Sequence, residues 1–259
     1  MTTFIVSLVI LIAGYFIYGK IAERVFGGID GSRPTPAVTQ ADGVDFVVMP
    51  TWKVFLIQFL NIAGMGPIFG AIMGVMFGPA AFLWIVFGTI FAGAVHDFVA
   101  AMISLRSGGM SLPEIVGREL GPVVRQVMRV VTLVLLVLVG AVFVLTPSEV
   151  VAGLTPGWFS VRVCAGAIFL YYILATMLPI DKLIGKIYPL FGAALLFMGV
   201  GLLCYLLFGG VEIPDGIAEG LHNRRPDAAD GMRPLFPMLC ISIACGAISG
   251  FHATQSPMM

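Results

Sequence analysis

The chain has 259 residues, of which 59% are hydrophobic and only 11% charged, and its mean hydropathy is +1.04. A soluble domain carries about 25% charged residues, so composition excludes that class and leaves a membrane protein. The net charge is zero, which gives no sign of a nucleic-acid partner and leaves the lipid bilayer as the expected surroundings.

The opening "MTTFIVSLVILIAGYFIYGK" lacks a basic n-region and a small-residue cleavage site, so it reads as a retained first span at about 3–20. A spanning helix needs roughly 20 apolar residues. Further spans are predicted at about 53–78, 80–105, 127–146, 163–179 and 187–208, with a seventh starting near 235. The positive-inside rule orients them. With the N-terminus outside, the inner loops and flanks hold ten Lys and Arg, from Lys20 and Arg24 to Lys182 and Lys186; the outer side holds Arg162, Arg224, Arg225 and Arg233. His222 falls among the charges of the last outer loop and is expected to be solvated. The four cysteines, Cys164, Cys204, Cys240 and Cys245, lie in apolar segments without metal-ligand or CxxC spacing, so they read as small buried hydrophobes.

The second span contains "NIAGMGPIFGAIMGVMFGP" (61–79), with glycines at 64, 66, 70, 74 and 78 and prolines at 67 and 79. One reading is a packing stripe, because small residues at a four-residue repeat let helices approach closely. The other is an unwound stretch at "AGMGP", since Pro67 removes a donor and open backbone inside a membrane is tolerated where it lines a cavity. Asn61, Gly64, Gly66 and Pro67 then become candidate substrate contacts, with the restarted half-helix offering N–H groups to a carboxylate.

In the third span, "AGAVHDF" (92–98) carries His96 and Asp97. An ionisable residue inside a span is a functional candidate, here for ion coupling; the alternative is a polar pair serving neighbouring broken backbone. Adjacent helical residues point about 100° apart, so the two are not expected to share one site. After it, "SLPEIVGRELGP" (111–122) places Ser111 and Glu114 at capping-box spacing and ends on Gly-Pro, which predicts a short helix on the inner surface.

The last segment runs 14 apolar residues from Leu235 to Ile248, about 21 Å of helix against a core of roughly 30 Å. "SGFHATQSPMM" follows. Ser249, His252, Thr254 and Gln255 there suit a small polar substrate beside a second break, or else simply cap a helix. The chain reads as one transmembrane domain over 1–259, the N-terminal part of a longer transporter cut inside its last span. Breaks in the second and seventh spans, five spans apart, fit a five-plus-five inverted repeat. They are expected to face each other across one polar cavity.

The stretches "ADGVDFVVMPT" (41–51), "NIAGMGPIFGAIMG" (61–74), "LWIVFGTIFAGAVHDF" (83–98), "SLPEIVGRELG" (111–121) and "GAISGFHATQSPMM" (246–259) resemble the carbon starvation protein A family of multi-pass membrane transporters. The resemblance implies a bacterial inner-membrane protein that takes up a small nutrient, a peptide or pyruvate, under carbon limitation with proton or other cation coupling. Many members carry a His-His pair just before "IAGxGP"; Ile57 and Gln58 stand there in this chain, as in the shorter branch of the family.

The expected fold class is therefore all-α: a polytopic helix bundle of about seven spans, two of them broken. No cofactor or metal motif is present, and nothing fixes an oligomeric state. Two other function classes are a non-transporting membrane sensor and an intramembrane hydrolase. "GAISG" (246–250) has similarity to a serine-protease Gly-x-Ser-Gly, but Ala247 stands where the first glycine belongs, and no HExxH occurs.

Overall fold

A computed structural model describes residues 1–155, 157, 159–177, 188–213, 215 and 236–258. The readings made for Lys182, Lys186, His222, Arg224, Arg225 and Arg233 lie outside these residues. The described residues are all-helical, and four helical stretches are long and apolar enough to cross a membrane: Thr2–Val25, Met65–Arg106, Pro122–Leu154 and Tyr188–Phe208.

Helix α1 (Thr2–Val25) is predominantly apolar, with its charges, Lys20, Glu23 and Arg24, gathered toward its C-terminal end. It packs where a side chain is missing: the Ile90 side chain fills the place where a Cβ on Gly14 would sit, at 2.5 Å. At its C-terminus, the Arg106 guanidinium donates to the carbonyls of Phe26, Gly27 and Gly28 at 3.0, 3.2 and 3.2 Å. A cation belongs there, because the last carbonyls are unpaired and carry the negative end of the helix dipole. At the N-terminus, the Asp215 carboxylate accepts from the backbone N–H groups of Thr2 and Thr3 at 3.0 and 2.8 Å and meets the Met1 ammonium at 2.7 Å. The ammonium first, then those N–H groups, hold the Asp215 carboxyl far below the usual range.

A single-turn helix α2 (Pro36–Thr39) precedes α3 (Thr51–Ile62) and α4 (Met65–Gly74). Between α3 and α4 the chain opens at Ala63 and Gly64, where Gly64 is extended (φ −77°, ψ −168°). The break is thus shorter than the expected "AGMGP": Met65, Gly66 and Pro67 already lie in α4. Pro67 is tolerated because first-turn N–H groups have no intrahelical partner anyway. A second glycine bend follows at Gly78, in a conformation that essentially only glycine adopts (φ 58°, ψ −146°), and leads into α5 (Ala81–Phe87). A π-helical turn, Gly88–Gly93, joins α5 to α6 (Ala94–Arg106).

Helix α7 (Leu112–Leu120) stops at Gly121 (φ 94°), and Pro122 opens α8 (Pro122–Leu154). The stop is as predicted; the capping box is not formed. Ser111 makes no side-chain cap bond. Glu114 instead binds two arginines of α8, accepting from Arg125 Nη1 at 3.3 Å and from Arg129 Nε at 3.1 Å, with a further contact to Arg129 Nη2. A charged guanidinium is a stronger partner for a carboxylate than a backbone N–H.

Helix α8 continues eight residues past the expected end at Thr146, through Pro147. A proline there cannot bond the carbonyl four residues back, that of Phe143. The Tyr172 hydroxyl of α9 (Val161–Thr176) donates to that carbonyl at 3.2 Å. Helix α10 (Tyr188–Phe208) seats Gly192 against Leu56 of α3. Its outer surface is apolar and open, and Cys204 is exposed on it rather than buried as expected; Cys164 is buried.

The last described helices are α11 (Met238–Ala247) and α12 (Gly250–Gln255), separated by Ile248 and Ser249 and followed by a 3-10 turn, Ser256–Met258. The core gathers around α11: Phe77, Ala81, Leu239 and Ile243 are buried together, with Trp84 packed against them.

Candidate functional site

Helix α11 is held against α4 and the π-helical turn by glycines. A Cβ on Gly70 would lie 3.2 Å from the Ser242 carbonyl oxygen, and one on Gly246 3.0 Å from the Pro67 Cα. At Gly93 it would fall 1.9 Å from the Ala247 oxygen, which no side chain survives. Both readings of the glycine segment therefore hold: Gly70 and Gly74 form a packing stripe, and Gly64 marks a break. Beside the first break, the backbone of α11 at Gly246 lies directly against Pro67 of α4. The nearby cavity of about 330 Å³, lined by Leu136, Val139, Gly140, Phe143, Tyr172 and Phe251, is apolar apart from Tyr172. The Phe143 ring lies between the breaks, close to Gly64 and 5.7 Å from the Phe251 ring.

Polar groups collect on the other side of α12. Gly93 lets α6 approach the second break, and one turn later Asp97 reaches it. Asp97 Oδ2 lies 3.3 Å from His252 Nδ1, and Asp97 Oδ1 lies 2.9 Å from His96 Nδ1. The histidine side chains differ in access: His252 is 3% exposed and His96 34%. His96 and Asp97 thus do share a site, contrary to the angular expectation, because a carboxylate can turn one oxygen back to its neighbour and present the other across the interface. The His252 contact is close enough for an ion pair but not aligned as a hydrogen bond; it is attractive when His252 carries a proton. Ser104, two turns along α6, shares its hydroxyl proton between the carbonyls of Met110 and Pro257, 2.8 Å from each, and fixes α6 to the turn after α12.

The other candidates divide. Ser249 is buried, and its hydroxyl accepts from the Phe251 N–H as the cap of α12; Thr254 donates to the Phe251 carbonyl. These two hydroxyls serve their own helix, so the unwound stretch narrows to Ile248–Ser249. Gln255 ends α12 half-buried. Asn61 stands in the last turn of α3 with its Nδ2 buried and without a partner among the described residues. Gly64 and Gly66 are half-buried at the first break.

Sequence reasoning missed Gln58 and Ser256 as members of this cluster. Gln58 Nε2 donates to Ser256 Oγ at 3.4 Å, tying α3 to the turn after α12, while Gln58 Oε1 is buried without a partner among the described residues. The available signal was a pair of amides three residues apart in the apolar second half of α3, which puts both on one face.

Comparison with known proteins agrees with the motif resemblance. The family model of carbon starvation protein CstA matches residues 1–182. A Haemophilus influenzae protein described as "Uncharacterized membrane protein" is 43% identical over the whole chain, which covers 82% of it. The pyruvate/proton symporter BtsT of Escherichia coli is 30% identical over 97% of the chain, and the peptide transporter CstA of Campylobacter jejuni is 30% identical over 97%. The chain spans 43% and 44% of the length of these two transporters. No solved structure matches it. With the family model covering most of the described helices and the motifs falling on the two breaks and the Asp97 pair, the chain belongs to the carbon starvation protein CstA family.

Proposed function

We propose that this chain forms one transmembrane domain of a secondary transporter in the bacterial inner membrane, with its N-terminus outside, which takes up a small carboxylate-bearing nutrient, peptide or pyruvate. Transport is coupled to a proton or another cation, and the protein is not an enzyme. The observation that carries this reading is the Asp97 carboxylate of α6 held between His96 and the buried His252 of α12. An intramembrane acid shared by two imidazoles is suited to taking up and passing on a proton. With Asp97 charged and His252 protonated, α6 and α12 are drawn together; neutralising Asp97 removes that attraction and frees the second broken helix to move. Asn61, Gly64, Gly66 and Pro67 on one side and His252 and Gln255 on the other border the substrate path, with the Ser249 and Thr254 hydroxyls shaping the second break behind them. Relatives named as a pyruvate/proton symporter and a peptide transporter support the substrate class and the coupling. The breaks fall in the second and seventh predicted spans, and that offset of five supports a five-plus-five inverted repeat.

Asp97→Asn in proteoliposomes tests the coupling. It keeps the size of the side chain and loses its charge. The variant should lose accumulation of labelled substrate against a gradient by at least about tenfold while still exchanging it across the membrane at equal concentrations. Uphill accumulation at the wild-type level would remove Asp97 from the mechanism.

A further inference from the structure

Helices α5 and α6 run on as one rod, joined by the π-helical turn Gly88–Gly93. There the Ala94 N–H donates to the Thr89 carbonyl, five residues back instead of four. Such a turn amounts to one residue inserted into an α-helix. Each residue after it stands where its predecessor would stand in a regular helix, a difference of about 100° and 1.5 Å. Asp97 therefore owes its place opposite His252 to the extra residue upstream. Without that residue, His96 would occupy the place and Asp97 would turn aside.

The rod is held at both ends. In α5, Ala81 and Val86 are buried and Trp84 packs on the core. In α6, Ser104 is fixed by the carbonyls of Met110 and Pro257, and Arg106 by the end of α1. The segment between can still change register, because a π-helical turn can travel along a helix. Each step exchanges one five-residue hydrogen bond for a four-residue one, and only the residues passed rotate. Gly93 couples this motion to the second break. A Cβ there would run into the Ala247 oxygen. Moving the turn onward brings Ala92, with its methyl, into the place of Gly93. The end of α11 then has to withdraw, and the second break moves with it.

We propose that the π-helical turn is the moving part of the transport cycle, travelling from Gly88–Gly93 to a position beyond Asp97 but short of Ser104. In the first state Asp97 faces His252 and the second break rests on Gly93. In the second, His96 faces His252 and Ala92 displaces the break. The contact between Asp97 and His252 holds the first state. The inference rests on the transport reading and names the motion that links its charged site to its broken helix.

Crosslinking the full chain in liposomes reads the register without relying on transport. Cys164, Cys204, Cys240 and Cys245 are first replaced by alanine. His252→Cys is then combined with Asp97→Cys or with His96→Cys, treated with a short bifunctional thiol reagent, and read by mass spectrometry. His252→Cys also removes the contact that holds the first state, so the second is favoured. Both combinations should crosslink. Deleting Thr89, an exposed residue of the turn, makes the helix regular and keeps α6 in its first register. The crosslink through position 96 should then be lost and the one through position 97 kept. No crosslink through position 96 in the undeleted chain overturns the moving turn, whether or not the deletion variant folds. So does a crosslink there that survives the deletion. Either result leaves the transport reading standing if the wild-type chain accumulates labelled pyruvate or alanylalanine. A deletion-sensitive crosslink in a protein whose wild-type form accumulates neither overturns the transport reading and leaves the register shift.

Discussion

The two broken helices solve the same problem in opposite ways. At the first break, Gly64 opens the backbone and no side chain caps the restarted helix. At the second, Ser249 caps, Thr254 bonds back within the turn, and His252 is buried against Asp97. The second break is therefore satisfied from within and carries the charge. The first has no such cap, and Gln58 Oε1 and Asn61 Nδ2 of the helix before it are buried without a partner among the described residues.

The sharpest way to break this arrangement is to push the second break away from α6. Gly93→Ala places a methyl where the Ala247 oxygen stands, 1.9 Å from it. Overpacking of this kind, against backbone that cannot rotate aside, should cost about 3 kcal/mol or more and lower the thermal midpoint in detergent. Gly199→Ala in α10, with nothing within 4 Å of the added methyl, should leave the midpoint unchanged or slightly raised. Equal midpoints for the two variants would mean that α6 does not rest on the second break. A milder change separates capping from binding. Ser249→Ala removes the cap of α12 and should cost about 1 kcal/mol, with substrate affinity unchanged; a large rise in KM would place Ser249 in the binding site instead.

The smallest effect lies outside both breaks. Hydrogen bonds from Arg129 and then Arg125 hold the exposed Glu114 carboxyl below its usual range. A carboxyl lowered in the folded state contributes stability above its unfolded pKa of about 4.3. That contribution is lost as pH falls through the lower folded value. Wild-type protein should therefore lose its small advantage over Glu114→Gln between about pH 5 and pH 3, read as converging thermal midpoints. An advantage that persists unchanged to the acid end would exclude the pair as its source.

The breaks were legible in the sequence because glycine and proline act locally: Gly64, Pro67 and Gly121 mark changes of direction that any neighbours would leave in place. The partners were not legible. Asp97 and His252 are 155 positions apart, and no local pattern pairs them. Glu114 looked like half of a capping box until α8 returned with two arginines. Pro147 looked like a helix end, and only a tyrosine from the next helix explains why it is not one. Gln58 drew notice for what it replaced, whereas its importance comes from a bond to Ser256, 198 residues on.

The Tyr172 bond also bears on how the protein enters the membrane. Without α9, the Phe143 carbonyl of α8 would face hydrocarbon with nothing to accept from, because Pro147 has no proton to give. Alone, α9 is 16 residues long, about 24 Å of helix, shorter than the roughly 30 Å core it must cross. Each helix supplies what the other lacks: one has length and a bare carbonyl, the other a hydroxyl and too little length. The pair is thus better suited to leave the translocation machinery together as a hairpin than one helix at a time.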